Sequence, residues 1–286
     1  MKNPTVALIY DFDGTLSPGN MQEYNFLKAI GISDKKKFWA ENAELAHKEN
    51  ASEILCYMKL MIDKSHQNNS PVTRQTFVEF GKSIELYPGV TEWFDNINNL
   101  GREIGINVLH YLNSSGLKEM VEGTSISKKF KEIYACSFMY DENEVATWPA
   151  VAVDFTAKTQ FLFMINKGIA KITDNKKVNE YMPEENRPIP FSNMIYFGDG
   201  DTDIPCMKLI KQQGGNSIAV YKARDRKKKA EAVKLIRDGR VNFACIANYT
   251  KDMEVYKIVK SIFKQIKSKS DFTCLEESNH KQILSK

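Results

Sequence analysis

Thr5-Val6-Ala7-Leu8-Ile9-Tyr10-Asp11-Phe12-Asp13-Gly14-Thr15-Leu16 carries the reading that decides the fold: a short apolar, β-branched and aromatic run, then two aspartates and a glycine. Such a run, stopped by glycine, reads as a fully buried strand. Side chains alternate along an extended chain, so Asp11 and Asp13 point the same way while Phe12 turns back toward the core. Like charges that close repel and need compensation, and a divalent cation with oxygen ligands is the usual means.

A second cluster repeats the pattern downstream. Asn193-Met194-Ile195-Tyr196-Phe197 leads into Gly198-Asp199-Gly200-Asp201-Thr202-Asp203, and a helix is expected from about Ile204-Pro205, with proline in its first turn. Two strands of one parallel sheet bring both acidic turns to the same edge, where open α/β sheets bind ligands. Acidic residues that merely end strands in polar turns are the alternative for each cluster taken singly. Between the clusters, the run from Ile104 to Leu112 reads as a strand that delivers Ser114-Ser115-Gly116 to a turn before a helix, whose free N–H groups suit an anion. Val151 to Thr156 reads as another strand, followed by an apolar helix with Lys158 in its first turn. A cation is unfavourable there for the helix dipole, whereas Lys167, just before Gly168, sits where a cation and a glycine cap need no functional explanation.

In this order, the Asp11 run, the strand ending in Ser114-Ser115-Gly116, the isolated Lys158 and the Gly198 to Asp203 turn resemble the four motifs of the haloacid dehalogenase superfamily. The resemblance covers the chain from residue 5 to about 221 and looks most like the phosphoserine phosphatase-like branch, whose helical cap lies between motifs one and two. It implies an α/β fold with a Rossmann-like parallel-sheet core and a small inserted α-helical cap. It implies a Mg2+-dependent phosphatase working through an aspartyl-phosphate, with a phosphotransferase or mutase using the same phosphoenzyme as the alternative; a helical lid that closes over the site and excludes water favours a small phosphorylated metabolite as the substrate. Asp11 is then the nucleophile and Asp13 the general acid and base, a residue that dehalogenase members lack. Thr15 orients the loop, and Gly14 permits its tight turn. Ser114 and Lys158 bind the phosphoryl group, with Ser115 and Gly116 beside them in the substrate turn. Asp11, Asp13 and Asp199 hold the metal, Asp203 supports it or Lys158, and Asp201 is peripheral.

Composition agrees. The chain has 286 residues, 27% charged and 42% hydrophobic, with a net charge of +4, ordinary values for a globular protein large enough for one sizeable core and a subdomain. Five dispersed cysteines without a CxxC pair point to reduced thiols rather than disulfides or zinc. No stretch suits a bilayer and the N-terminus runs straight into the first strand, so no membrane partner and a cytoplasmic location are expected. The basic run from Arg224 to Lys229 has apolar residues interleaved at helical spacing and no aromatic platform; it reads as a solvated helix face rather than a nucleic-acid surface. Lys222 and Arg224, close after a core strand, are the residues there that an anionic substrate would reach.

The cap is expected over residues 18–86 and the core over 1–17 and 87–286. Met21, Tyr24, Leu27 and Ile30 recur at near-helical spacing, Ser52 suits the cap of a helix carrying Ile54, Met58, Met61 and Ile62, and Phe77, Phe80 and Ile84 mark another. Glu23 and Tyr24, nearest the insertion point, are candidates for substrate contact. Residues 173–190 read as a long polar excursion, and the tail from Lys267 as polar and frayed.

Overall fold

The computed structural model describes residues 3–285. β1 (Thr5–Tyr10) is the strand expected, and every residue after Thr5 in it is buried. The chain then leaves the sheet through a 3-10 turn (Met21–Glu23), α1 (Phe26–Ala29), α2 (Lys35–Glu49), α3 (Glu53–Gln67) and α4 (Arg74–Gly81). It returns by α5 (Val90–Ile104), β2 (Asn107–Leu117), α6 (Lys118–Glu122), β3 (Glu132–Tyr140), β4 (Ala146–Val151), α7 (Ala157–Lys167) and α8 (Asn175–Asn179). β5 (Met194–Gly198), α9 (Ile204–Gln212), β6 (Asn216–Tyr221), α10 (Arg226–Arg237), β7 (Phe243–Ile246) and α11 (Glu254–Leu284) complete it.

The seven strands lie in the order β4-β3-β2-β1-β5-β6-β7, all parallel except β4, which pairs antiparallel with β3. β1 is central because it is apolar on both faces, which only a strand covered by helices on each side can satisfy. Its neighbours place Tyr10 opposite Leu112 of β2 and Phe197 of β5. The segments after β1 and β5, and the end of β2, therefore meet at one sheet edge, where the strand order reverses and ligands enter such sheets. The helical insertion is fastened to the core where α4 crosses α6: a Cβ on Gly81 would lie 2.0 Å from the Met120 carbonyl oxygen, and one on Gly123 would lie 1.9 Å from that of Val78. Among the described residues no helix is long and apolar enough to cross a membrane.

Several elements differ from the sequence expectation. β2 does not turn at Ser114-Ser115-Gly116 but runs on to Leu117. Its pairing with β3 shifts register between Asn113 and Leu117, and the Gly116 N–H donates to Ser114 Oγ at 3.1 Å, so the irregularity is a bulge inside the strand. The helix that follows has five residues only. Residues 152–156 form a loop, and the strand expected there lies earlier, in β4; Val153 is apolar because it is buried against Cys136, whose Sγ accepts its N–H at 3.2 Å. The periodicity from Met21 to Ile30 resolves into a 3-10 turn and a four-residue helix. The 173–190 excursion contains short helical turns, and the tail beyond Lys267 is helical, since α11 runs for 31 residues. Once a helix is nucleated by a packed segment, each added residue costs little.

Beneath the edge lies a buried polar chain. Trp93 Nε1 donates to Tyr10 Oη at 2.9 Å, Tyr10 Oη lies 3.0 Å from His110 Nδ1, and His110 Nε2 lies 3.2 Å from Asn98 Oδ1. With Tyr10 donating to Nδ1 and Nε2–H donating to Asn98, a neutral imidazole satisfies every group. Burial pushes the His110 pKa from 6.5 down to about 3. The folded pKa lies below the unfolded one, so the unfolded chain takes the proton more readily. Stability is then complete above about pH 6.5 and falls with pH toward about 3, by roughly 1.4 kcal/mol per unit for one proton. Urea midpoints for wild type and His110→Gln measured between about pH 6 and pH 4 should converge as pH falls; parallel pH profiles would remove His110 as the cause.

Candidate active site

Asp11 is the first residue past β1. Its N–H donates to the Phe197 carbonyl at 2.9 Å, which continues the ladder one residue beyond the strand. The Phe12 side chain is fully buried, as alternation requires, and its carbonyl accepts the N–H groups of Thr15, Leu16 and Ser17 at 3.2, 2.8 and 3.0 Å. That convergence folds the loop tightly enough to set Asp11 and Asp13 side by side. Gly14 has a φ of +76°, and a Cβ there would stand 2.1 Å from Asp199 Oδ2. Gly239, with a φ of +66°, has nothing within 4 Å of such a Cβ. Alanine in the left-handed region costs about 1–2 kcal/mol at either position. Gly14→Ala is expected to lower the thermal midpoint by more than Gly239→Ala, because only Gly14 also displaces the half-buried carboxylate of Asp199. Equal shifts would show that the contact with Asp199 is not under pressure.

Lys158 ties the three segments together. Its Nζ lies 2.9 Å from Asp11 Oδ1, 2.7 Å from Asp203 Oδ1 and 3.4 Å from Thr202 Oγ1, with no exposure to solvent. Burial alone lowers a lysine pKa, but Asp11 and Asp203 more than reverse this and hold the ammonium charged. Asp203 is equally committed: Oδ1 also accepts from Tyr196 Oη at 2.8 Å and Oδ2 accepts the Asp199 N–H at 3.2 Å. Burial, followed by the Asp203 charge, raises the Asp11 carboxyl, and Lys158 opposes both. Asp13 is raised well above the usual carboxylate range by burial and then by Asp11, while the Met21 N–H, 2.9 Å from its Oδ1, works the other way. Lys167, by contrast, donates to the carbonyl oxygens of Val178, at 2.6 Å, and Glu180, far from this cluster.

Carboxylate oxygens of Asp11, Asp199 and Asp203 lie within 4.8 Å of one another. Hard oxygen donors at this spacing suit a small divalent cation. Both oxygens of Asp203 already accept hydrogen bonds, whereas Lys158 holds Asp11 through Oδ1 and Lys228 holds Asp199 through Oδ2, so the other oxygens of Asp11 and Asp199 are those left to serve it, and the close fit of Gly14 against Asp199 holds that donor in place.

A cavity of about 480 Å3 opens over the cluster, between the sheet edge and the inserted helices. Asp11, Asp13, Ser114, Ser115, Gly116 and Asp199 line it, and Asp201 stands exposed on its rim. Thr15, Lys158 and Asp203 do not line it. Thr15 is fully buried with its hydroxyl unpartnered among the described residues and its carbonyl accepting from Tyr249 Oη at 2.8 Å, so it braces the loop from behind rather than meeting a substrate. Lys158 reaches the cavity through two residues that line it, Asp11 and Thr202. Ser114 Oγ is engaged with the Gly116 N–H, whereas Ser115 Oγ is buried without a partner among the described residues.

One side chain of the cavity wall was hidden in the basic run. Asp225 caps α10 by accepting the Lys228 N–H at 3.0 Å, and that first turn directs Lys228 Nζ to within 3.0 Å of Asp199 Oδ2, in the cavity wall. Lys222 and Arg224 do not line the cavity. The available signal was position: a capped first turn directly after a core strand lies at the ligand edge of the sheet. In the insertion, Gln22 lines the cavity in place of Glu23 and Tyr24. Glu23 instead accepts from Trp39 Nε1 at 2.8 Å, and Tyr24 Oη pairs with Ser17 Oγ at 3.0 Å.

Comparison with known proteins agrees with this geometry. The family described as haloacid dehalogenase-like hydrolase matches residues 8–208. A protein of Borreliella burgdorferi described as uncharacterized is 30% identical over 282 residues, 88% of this chain and 94% of its own length. Among solved structures, a substrate-bound phosphoserine phosphatase complex is similar with a TM-score of 0.54 at 15% identity, covering 91% of this chain and 99% of the other. A probable phosphoserine phosphatase from Vibrio cholerae gives a TM-score of 0.56 at 12% identity, covering 94% and 67%. At these identities the likeness is one of fold.

Proposed function

The chain belongs to the haloacid dehalogenase-like hydrolase family, and from that premise we propose that it is a Mg2+-dependent phosphatase of small phosphorylated metabolites. The observation that carries the reading is the pairing of Asp11, held by Lys158 at 2.9 Å, with the adjacent Asp13, whose pKa burial and Asp11 push up. Burial raises both carboxyls, Asp11 to about 7, but Lys158 donates its hydrogen bond to Asp11 alone and so favours the ionised form there, which divides the roles of nucleophile at Asp11 and proton donor at Asp13.

An Asp11 oxygen attacks phosphorus as the bond to the ester oxygen breaks, and Asp13 gives that oxygen its proton. Asp13, now ionised, takes a proton from water as the water oxygen attacks phosphorus; phosphate leaves and the Asp11 carboxylate returns. Lys158 neutralises charge on the acyl side, and the Ser114 and Ser115 hydroxyls face the phosphoryl oxygens. Asp11, Asp199 and the Asp13 main-chain carbonyl would hold Mg2+, which when bound offsets the negative charge of the phosphoryl group against these carboxylates. Residues 18–86 act as the cap that closes over the reacting group and keeps bulk water out.

The test is phosphate release from a panel of phosphomonoesters with Mg2+, with and without a chelator. Release that stops on chelation and returns on adding Mg2+ is the expected result. Release indifferent to chelation would remove the metal from the account, and transfer to added alcohols in place of release would make the chain a phosphotransferase.

A further inference from the structure

The part of the cavity lining contributed by the inserted helices, which a leaving group would meet, has a distinct chemistry. Gln22 is only 2% exposed, yet it lines the cavity, and its Oε1 has no hydrogen-bond partner among the described residues. A buried amide oxygen left unpaired is costly. It is also fixed close to the reaction: Gln22 follows Met21, whose N–H is bound by Asp13 and whose Sδ accepts the Leu117 N–H at 3.0 Å.

The facing wall is aromatic and preset. Glu23 Oε1 accepts from both Trp39 Nε1 and Asn20 Nδ2, at 2.8 and 2.9 Å, and so anchors the indole. Trp39 meets Tyr57 edge-on with ring centroids 6.0 Å apart, and Tyr57 Oη donates to the Ser115 carbonyl at 2.7 Å, which locks that ring to the substrate strand. Phe155, 45% exposed and with a φ of +21°, adds a ring to the lining. Charge is one-sided. Glu53 lines this region, and the lining's one cation among the described residues, Lys228, lies on the core side against Asp199.

We infer that the leaving group is an uncharged or cationic organic alcohol that lays an apolar or aromatic face on Trp39 and Tyr57, donates an N–H or O–H to Gln22, and bears no carboxylate. An anionic leaving group would meet the exposed carboxylate of Glu53, while the lining's one cation among the described residues, Lys228, is already engaged by Asp199, so like charge is disfavoured there. A cationic one gains from the ring faces and from Glu53. The inference rests on the phosphatase reading and names the substrate class of that same site. It separates this chain from proteins that cleave phosphoserine, whose ester carries a carboxylate.

Two matched pairs test it: phosphoethanolamine against phosphoserine, and tyramine phosphate against phosphotyrosine, each pair differing by one carboxylate. The carboxylate-free member should be preferred in kcat/KM by at least about tenfold in both pairs; parity or the reverse order overturns the inference. For Gln22, the ratio of phosphoethanolamine to phosphocholine, which lacks a donor, should fall about tenfold or more in Gln22→Met and recover in Gln22→Glu. An unchanged ratio in Gln22→Met removes that residue from the proposal. Para-nitrophenyl phosphate keeps the two claims apart, since failure to release phosphate even from this generic ester would sink the phosphatase reading. Calorimetric binding of the same pairs to Asp11→Asn protein would then decide the pocket chemistry independently of turnover, by whether the carboxylate-free members bind more tightly.

Discussion

Asp11→Asn is expected to lower phosphate release by on the order of 10^4-fold or more, the scale met when a covalent nucleophile is removed from a site that otherwise stays intact. An amide is isosteric with the carboxylate but cannot form an acyl phosphate, so the loss falls on kcat. The fold should survive. Asp11 contributes its N–H to the Phe197 carbonyl through the backbone, which the substitution leaves alone, and asparagine retains an oxygen for Lys158 at the 2.9 Å position. Removing one of three closely spaced carboxylates also relieves repulsion with Asp199 and Asp203. Steady-state kinetics together with thermal melting separate the two effects. Activity within about tenfold of wild type, in a folded Asn variant, would end the assignment of Asp11 as nucleophile.

Lys158→Met is expected to cost on the order of 10^2–10^3 in kcat/KM, as loss of a preorganised charge at a water-excluded site does. It should also destabilise by about 3–5 kcal/mol, because Asp11 and Asp203 lose the buried cation that both of them share. Lys167→Met is the control on the same helix. Lys167 ties the Val178 and Glu180 carbonyls to the C-terminus of α7, so its loss should lower the melting temperature with kcat/KM nearly unchanged. Comparable kinetic losses in the two variants would mean that Lys158 acts through stability alone.

The legible part of this site is the part that sits where an apolar strand ends. Asp11, Asp13, Asp199 and Asp203 stand at such junctions, and Lys158 stands out as a cation at a helix start, a position the dipole disfavours. What stayed hidden did so for physical reasons. α2 buries little more than Phe38, Asn42 and Ala46 and opens with three lysines, so its apolar stripe is too sparse to show as a period. Lys228 shares a run with five other charged residues, and only the capping of α10 by Asp225 distinguishes it from its neighbours. Gln22 takes the place expected of Glu23 and Tyr24 because the insertion begins with a tight 3-10 turn rather than a regular helix, which rotates Gln22 into the cavity and Glu23 toward Trp39. Val153 reads as strand because burial selects the same residue types whether or not a ladder is present.

Acid-quenched trapping tests the central claim most directly. Protein mixed with Mg2+ and a phosphomonoester it turns over, stopped in acid within a single turnover and digested, should yield a phosphorylated peptide containing Asp11-Phe12-Asp13, with the label on Asp11 after borohydride reduction and absent from Asp11→Asn protein. Phosphate released at the wild-type rate with no labelled peptide, or a label that persists in Asp11→Asn, would contradict the account.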